Sequence, residues 1–455
     1  MRLFAVLAAF VLIAGCMGLP ARVSCGGALT RDTVLSEDFT CAGAGLFVRA
    51  DGIVLDCAGH TLRGDGTGFG VKVENNNRVT VRNCIIRGFK EGIVLSSSSN
   101  NTLLNNSLSG NEFGVILDGG SSINRLQQNV VWDNEHGIFI QSQSNANSLI
   151  DNRLARNSYG VEIASSRETV LSGNSMSGDG IRLSGDALAD YNTHIIDSTN
   201  SVNGGLIVYL HDAAAVVVPS GAGQVILANV SDVTVENQLI SGVSSGIVAA
   251  FSRGCVIRNN VIYGSKYGIE LIASEGNTLE GNILENNTFG IRFEASDNNT
   301  VIDNRAYGNL QYGIRLHGSR LNRVRGNNVG GNDNGIQLYS SDGNVVSGNA
   351  ADGQNYGIIL VSSNGNVVEA NSADGNADGI WLYQSSSNNS VALNSASNNV
   401  VGIHLTASDG NVVTRNTVSN NSMYGIWVQN SSDNRLSDNA LEGNRYEAIR
   451  FEQSS

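Results

Sequence analysis

Three groups of residues in this 455-residue chain are of types that could do chemistry. Asp179, Asp186 and Asp190 lie close together in sequence. Hydrolysis of an acetal asks for two carboxylates at a set separation, and proton abstraction asks for a base beside an arginine or a cation. Six cysteines could pair or bind metal, but the C-x2-C spacing that favours zinc is absent. The third group is larger: Trp381 and Trp427, Tyr339 and Tyr383, with the ionisable Glu270, Arg292, Glu294, Arg315, His317 and His404. Flat rings beside hydrogen-bonding charges suit the alternating apolar and polar faces of a sugar. Whether these residues share a surface depends on the elements that carry them.

Those elements repeat. A glycine followed by Ile or Val recurs at Gly70, Gly92, Gly114, Gly137, Gly160 and Gly180, and again from Gly246 through Gly268, Gly290, Gly313, Gly335, Gly357, Gly379 and Gly402 to Gly425. Nearly every interval is about 22 residues, the mark of a repeat architecture. Each unit holds short strand-like pieces bounded by Gly and Asn, which tolerate left-handed backbone. Pieces so short cannot be helices, so the chain must bend several times and return above its start. The fold expected is therefore all-β: a right-handed parallel β-helix of about seventeen coils, near 80 Å long at about 4.8 Å per coil. A leucine-rich repeat would need its Leu-x-x-Leu-x-Leu frame, and a propeller about twice the period.

Asparagine recurs eight or nine positions before the marker glycine, at Asn105, Asn129, Asn152, Asn282, Asn304, Asn327, Asn349, Asn371, Asn394, Asn416 and Asn439. Stacked amides at these positions would form a ladder that caps turn carbonyls. A calcium-binding ladder would need the Gly-Gly-x-Gly-x-Asp nonapeptide, which is missing. Positions one and three after the marker are apolar, as in Ile269 and Leu271, and must face inward. Positions two and four then face outward. They read Glu270, Arg292, Arg315, Gln337, Ile359, Trp381, His404 and Trp427 in one column, with Ile272, Glu294, His317, Tyr339, Val361, Tyr383, Thr406 and Gln429 beside it. The repeat thus gathers the third group onto one face. The same pattern is also what cross-strand pairing alone would select on an exposed sheet.

The unit Tyr-Gly-Ile-x-Leu, at Tyr312-Gly313-Ile314-Arg315-Leu316 and at Tyr356-Gly357-Ile358-Ile359-Leu360, resembles the NosD-like right-handed β-helix proteins. The resemblance runs from about Cys25 to Phe451. It implies repeats of a class associated with carbohydrate binding and sugar hydrolysis. Segments Asp197 to Gly204, Ala222 to Leu227 and Val233 to Asn237 look like an insertion common in cell-surface members. The stretch from Cys25 to Thr61 is similar to the first coils of many exported β-helices.

The family takes its name from a periplasmic protein implicated in maturing a copper site, so the resemblance brings copper into consideration. Copper wants clustered sulfur or imidazole donors. Met17, Met176, Met423 and the six histidines, His60, His136, His194, His211, His317 and His404, are scattered. No cofactor is expected; calcium stays open and copper is not expected. The fold also occurs in polysaccharide lyases, hydrolases and uronate epimerases. The Asp-Pro-His-Asp signature of alginate epimerases and the paired-Asp and Gly-His-Gly set of polygalacturonases are both absent.

Residues 1–16 carry Arg2, an apolar run from Leu3 to Ile13, and then Ala14-Gly15-Cys16, an export signal whose end resembles a lipobox with Cys16 as the lipidated residue. Export favours disulfides. Of the three pairings open to Cys25, Cys41, Cys57 and Cys84, Cys25 with Cys41 and Cys57 with Cys84 is the one expected. With 28 basic and 41 acidic residues, a net charge of −13 makes nucleic acid an improbable partner. Asn-x-Ser/Thr triplets at Asn100, Asn105, Asn229, Asn286, Asn298, Asn388, Asn420 and Asn430 either accept glycans or arise from the Asn-rich repeat itself.

The expected organisation is one continuous solenoid: regular coils over 25–185, irregular coils with loop excursions over 186–245, and regular coils over 246–455. The expected function is an exported periplasmic or cell-surface protein that binds polysaccharide or cell-wall glycan along the outward face, joined to membrane only through an N-terminal lipid. Other envelope proteins are further candidate partners. A carbohydrate-active enzyme and a NosD-type copper-maturation accessory protein are the alternatives.

Overall fold

A computed structural model describes residues 23–453. The segment containing Cys16 lies outside the described residues. Each coil contributes one long strand of about six residues and shorter strands of about three, and successive coils pair in parallel. The stack makes about nineteen turns rather than seventeen. The first coils, such as Ala44–Val48 with its Gly45-Leu46, lack the Gly-Ile/Val marker by which the turns were counted.

The long strands stack their inward residues in register. In the C-terminal part Ile247, Ile269, Ile291, Ile314, Ile336, Ile358, Ile380, Ile403 and Ile426 form one column, all fully buried. Each such side chain contributes about 1.5–3 kcal/mol by leaving water. The marker glycine beside this column answers a steric demand. A Cβ on Gly290 would stand 2.5 Å from the carbonyl oxygen of Gly313 in the next coil.

Amides fill the corners. Asn327 is typical: its Nδ2 donates to the carbonyls of Val301 and Arg325 and to Oδ1 of Asn349, while its own Oδ1 accepts from the peptide N–H and Nδ2 of Asn304. The expected ladder is present with one correction. Asn106, not Asn105, is the rung, bonding Asn129 at 3.0 Å. Asn105 holds the preceding left-handed corner at φ 54 and turns its side chain outward to Asn83. Two further Asn-rich ladders run beside it, one through Asn277, Asn299 and Asn322 and one through Asn287, Asn309 and Asn332, with a serine ladder through Ser274, Ser296 and Ser319. All eight Asn-x-Ser/Thr asparagines have positive φ, between 47° and 58°. The triplets therefore coincide with the repeat's own corners.

The long-strand face is interrupted once. Its first sheet ends at Ile181–Ser184, and a short helix, Ala189–Asn192, follows. The chain then reverses at Asn203-Gly204 into Gly205–His211, which pairs in parallel with Ala222–Ala228 and so begins the second long-strand sheet. At the interruption a side chain replaces a backbone rung. The Gln224 amide accepts from the Ile181 N–H and donates to the carbonyls of Ile181 and Ser245. Tyr191 plugs the wedge, with its ring 5.5 Å from Phe251 and its carbonyl accepting from the Tyr209 hydroxyl at 2.6 Å.

Disulfides join Cys25 to Cys41 and Cys57 to Cys84 in the first coils, and Cys255 is free and buried. No helix among the described residues is long and apolar enough to cross a membrane.

Candidate functional site

The outward side of the long-strand face carries a chain of ionic contacts that begins before the interruption. His136 Nδ1 meets Glu162 at 2.8 Å, and Arg182 Nε stands 3.6 Å from the same carboxylate. Beyond the break Arg182 Nη1 is 3.9 Å from Glu270, which also takes a hydrogen bond from Ser245 Oγ and an ion pair with Arg292 at 3.0 Å. Arg292 reaches on to Glu294, and Glu294 to His317, each at 2.7 Å. His317 then meets the Tyr339 ring edge-on at 5.0 Å. Glu270, Arg292, Glu294, His317 and Tyr339 thus form one connected system.

A second system lies farther along. Trp381, His404 and Trp427 stack nearly parallel, 5.5 Å and 4.4 Å between centroids. Tyr356 and Tyr383 tilt against Trp381 at 5.1 Å and 4.6 Å. The indole Nε1 of Trp381 donates to Thr406 Oγ1, which lies 3.0 Å from His404 Nε2. This stacking follows from register: one column of a parallel ladder places like positions about 4.8 Å apart, within the range of centroid separations at which offset rings pack. The flat faces therefore largely cover one another, and ring edges make the surface. Arg315, Gln337 and the buried Ile359 and Val361 lie between the two systems.

The outward columns are less exposed than alternation alone implies. Glu270 is 2% exposed and His404 7%. The cause is a third column, the residue before each marker glycine. Tyr267, Phe289 and Tyr312 stack there at 5.1 Å and 5.5 Å and shield the charges beside them. Cations lie over these rings: Arg182 over Tyr267 at 4.5 Å, Arg315 over Tyr312 at 5.3 Å and Lys266 over Tyr159 at 3.8 Å. Burial pushes the phenols of Tyr159 and Tyr267 up, so both stay protonated at neutral pH. The Tyr-Gly-Ile unit carried a signal for this column. Glu162 and Arg182 hold the second position after Gly160 and Gly180, and Ser245 the position before Gly246, so the repeat carried a signal for them too; only the contact of Arg182 with Glu270, made across the interruption, had none.

Several polar atoms on this face are buried without a hydrogen-bond partner among the described residues: Arg182 Nη1, Arg315 Nε, Gln337 Oε1, His404 Nδ1 and Trp427 Nε1. Each costs the free protein about 1–3 kcal/mol. The acidic trio Asp179, Asp186 and Asp190 is arranged differently. Asp179 is buried on Asn157 in a corner ladder, Asp190 is buried and pairs with Arg167, and Asp186 is exposed. Beside the excursion a groove of about 530 Å³ is lined by Asp212, Phe251, Arg253 and Glu275 among others. Hydrogen bonds from Asn229, His211 and Asn192 hold the Asp212 carboxyl down at about 2.

A family model described as "Periplasmic copper-binding protein (NosD)" matches residues 35–207, 196–365 and 314–455. The chain belongs to the NosD family. No curated protein matches it. Among solved structures, the Dettilon tailspike protein gp208 shares 15% identity at a TM-score of 0.39, over 74% of this chain and 62% of that one. An alginate lyase from Paenibacillus shares 12% at 0.29, over 56% and 95%. The periplasmic alginate epimerase AlgG shares 14% at 0.28, over 86% and 79%.

Copper, in the description of the NosD family, does not fit the residues here. His60 is held by Asp38, His136 by Glu162, His211 by Asp212 and His317 by Glu294. His194 is buried between Thr169 and Asp190, and His404 lies between two indoles. Met176 and Cys255 are packed in the hydrophobic core. Among the described residues no three His, Cys, Asp or Glu side chains converge on a metal-sized site.

Proposed function

We propose that this NosD-family β-helix is an exported protein that binds a polysaccharide chain laid along its long-strand face, from Glu270 to Trp427. The observation that carries the reading is that an ionic chain and an aromatic stack lie on the same outward columns of one rigid sheet. A linear sugar polymer presents hydroxyls and apolar ring faces at short, regular intervals, and a ladder of side chains about 4.8 Å apart offers a matching series of contacts. Ring edges, tilted Tyr383 and the exposed Tyr339 supply the apolar part. Arg292, Arg315 and His317 supply the polar part. With small side-chain shifts, hydroxyls would relieve the unpartnered atoms of Arg315, Gln337 and His404. The carboxylates of Glu270 and Glu294 are engaged by arginine, serine and histidine, which suits holding a ligand better than transferring protons to it.

Work outside the cytosol is supported by the two disulfides. We place the membrane attachment, through lipidated Cys16, in the same proposal. The test is a glycan array probed with wild-type protein and with a Trp381→Ala/Trp427→Ala double variant. Selective loss of signal in the variant supports the reading, and equal signal removes it.

A further inference from the structure

A different face of the solenoid holds a second constellation. On the N-terminal coils the short strands Thr61–Arg63, Ile85–Arg87, Ser107–Ser109 and Val130–Trp132 pair in parallel, so that Arg63, Arg87, Ser109 and Trp132 form one outward column. Leu62, Ile86, Leu108 and Val131 between them are buried in the core, which fixes the column's orientation. The column lines a shallow groove of about 380 Å³ together with Gly64, Gly88 and Gly110, and with Asp133, whose carboxylate is held by Arg156.

Two features of this groove bear on what it could hold, although a stacked arginine pair also occurs on the long-strand face, where Arg292 lies opposite Arg315. Arg63 and Arg87 stand directly opposite each other on adjacent coils, about 4.8 Å apart at the backbone, and both are exposed. Like charges paired across a ladder destabilise it. Some arginines meet an acid on a neighbouring coil, as Arg82 meets Asp56 and Arg258 meets Glu236 and, at the edge of this groove, Arg156 meets Asp133. Neither Arg63 nor Arg87 makes a close ion pair among the described residues, although Arg87 is near enough to Asp38 to help hold that carboxyl down. The neighbouring column adds apolar surface, with Ile85 36% and Val130 41% exposed. Trp132 closes the groove, and the Arg156 guanidinium lies over its ring at 5.5 Å. Paired guanidinium groups recognise carboxylates in a bidentate, charge-assisted way. An indole beside them, next to glycines without side chains, admits a flat ring.

We propose that this groove is a second binding site, separate from the long-strand face, and that it takes an acidic polysaccharide. Uronate carboxylates sit on Arg63 and Arg87, and a neighbouring sugar ring packs on Trp132. The chain as a whole carries a charge of −13, so such a polymer is repelled from most of the surface and directed to this local positive site.

The test is isothermal titration of the full chain with an oligogalacturonate, with its methyl-esterified, uncharged counterpart, and with citrate. Wild-type protein is expected to bind the oligogalacturonate with an affinity that falls as salt rises. The same titration in Arg63→Ala/Arg87→Ala is expected to weaken about tenfold or more, and in Trp132→Ala to weaken less. The arginine substitutions should cause the same fold-loss when made in a Trp381→Ala/Trp427→Ala background, which separates this site from the long-strand face. An unaltered thermal transition shows that the exposed arginines were removed without unfolding, and the charge reversal Arg87→Glu provides a second variant. Equal affinity in the arginine variants, equal affinity for the ester, binding of citrate as tight as the oligomer, or no binding at all overturns the proposal.

Discussion

Arg182 Nη1 and Glu270 Oε2 stand 3.9 Å apart across the place where the long-strand sheet is interrupted. Backbone pairing ends at Ile181–Ser184 and resumes in a new sheet, so side chains must join the two parts there. Glu270 is the hub: it faces Arg182 and Arg292 and accepts from Ser245, at 2% exposure. Glu270→Gln leaves two guanidinium groups without their shared counter-charge. Removing one partner of a buried ion pair costs about 3–5 kcal/mol. Calorimetry should show a single transition in wild-type protein and an earlier or divided one in the variant. Limited proteolysis should show faster cutting between residues 185 and 221. A variant that melts and digests like wild type would mean that Gln224 and Tyr191 hold the junction alone.

Asp179 occupies a corner rung where neighbouring coils place asparagine, accepting from Asn157 Nδ2 at 2.7 Å. Burial pushes its carboxyl up to about 6 from an ordinary 3.8. A group whose pKa is raised on folding stabilises the fold in its protonated form. That contribution is complete below about 3.8 and is lost as pH rises through about 6. Asp179→Asn restores a neutral amide, so it should raise stability at pH 8 by on the order of 1–3 kcal/mol and change little at pH 3.5. Urea unfolding of both proteins across this pH range checks the prediction, and parallel curves would contradict it.

Asn327 tests the corner ladders. Asn327→Ala strands the Val301 carbonyl and the Asn304 amide groups in a dry interior. The cost is about 2–4 kcal/mol, more than a single exposed hydrogen bond. Asn298→Ala, at an exposed left-handed corner, should cost less, about 1 kcal/mol. Chemical denaturation of the two variants gives the comparison, and equal losses would argue against the ladder as a main support.

Gly290 tests the close approach of coils. Gly290→Ala puts a methyl group 2.5 Å from the Gly313 carbonyl oxygen and 3.0 Å from the Ala306 Cβ. Overpacking of this kind costs about 1–3 kcal/mol or more. Hydrogen exchange should quicken most in the strands Phe289–Glu294 and Tyr312–His317, the two that the methyl group forces apart.

His404 tests the aromatic stack. It lies 4.4 Å from Trp427 and 5.5 Å from Trp381. His404→Ala opens a gap between two indoles and should release their packing at a cost of about 0.5–1.5 kcal/mol per ring contact. Tryptophan fluorescence should shift to longer wavelength as the rings become wetter. An unshifted spectrum would mean that the remaining side chains close the gap.

The solenoid was legible in residue order alone. Its period of about 22 residues and the alternation around each marker glycine leave one regular way to bury Ile269, Ile291 and Ile314, and burial is set by residue type and spacing alone. The amide rungs were legible for the same reason, apart from the choice between adjacent Asn105 and Asn106, which depends on which of them takes the left-handed corner. The two disulfides are the pairing expected, among three, of four cysteines clustered near the N-terminus of an exported chain. Tertiary structure alone decided what happens where the repeat fails. The contact of Arg182 with Glu270, which share a repeat position but lie on either side of the interruption, the Gln224 side chain acting as a rung, and the burial of Tyr191 all depend on how the excursion packs. It also decided how the outward side chains meet. Alternation assigns Trp381, His404 and Trp427 to a face, but only the stacking of coils at a fixed height turns their rings against one another.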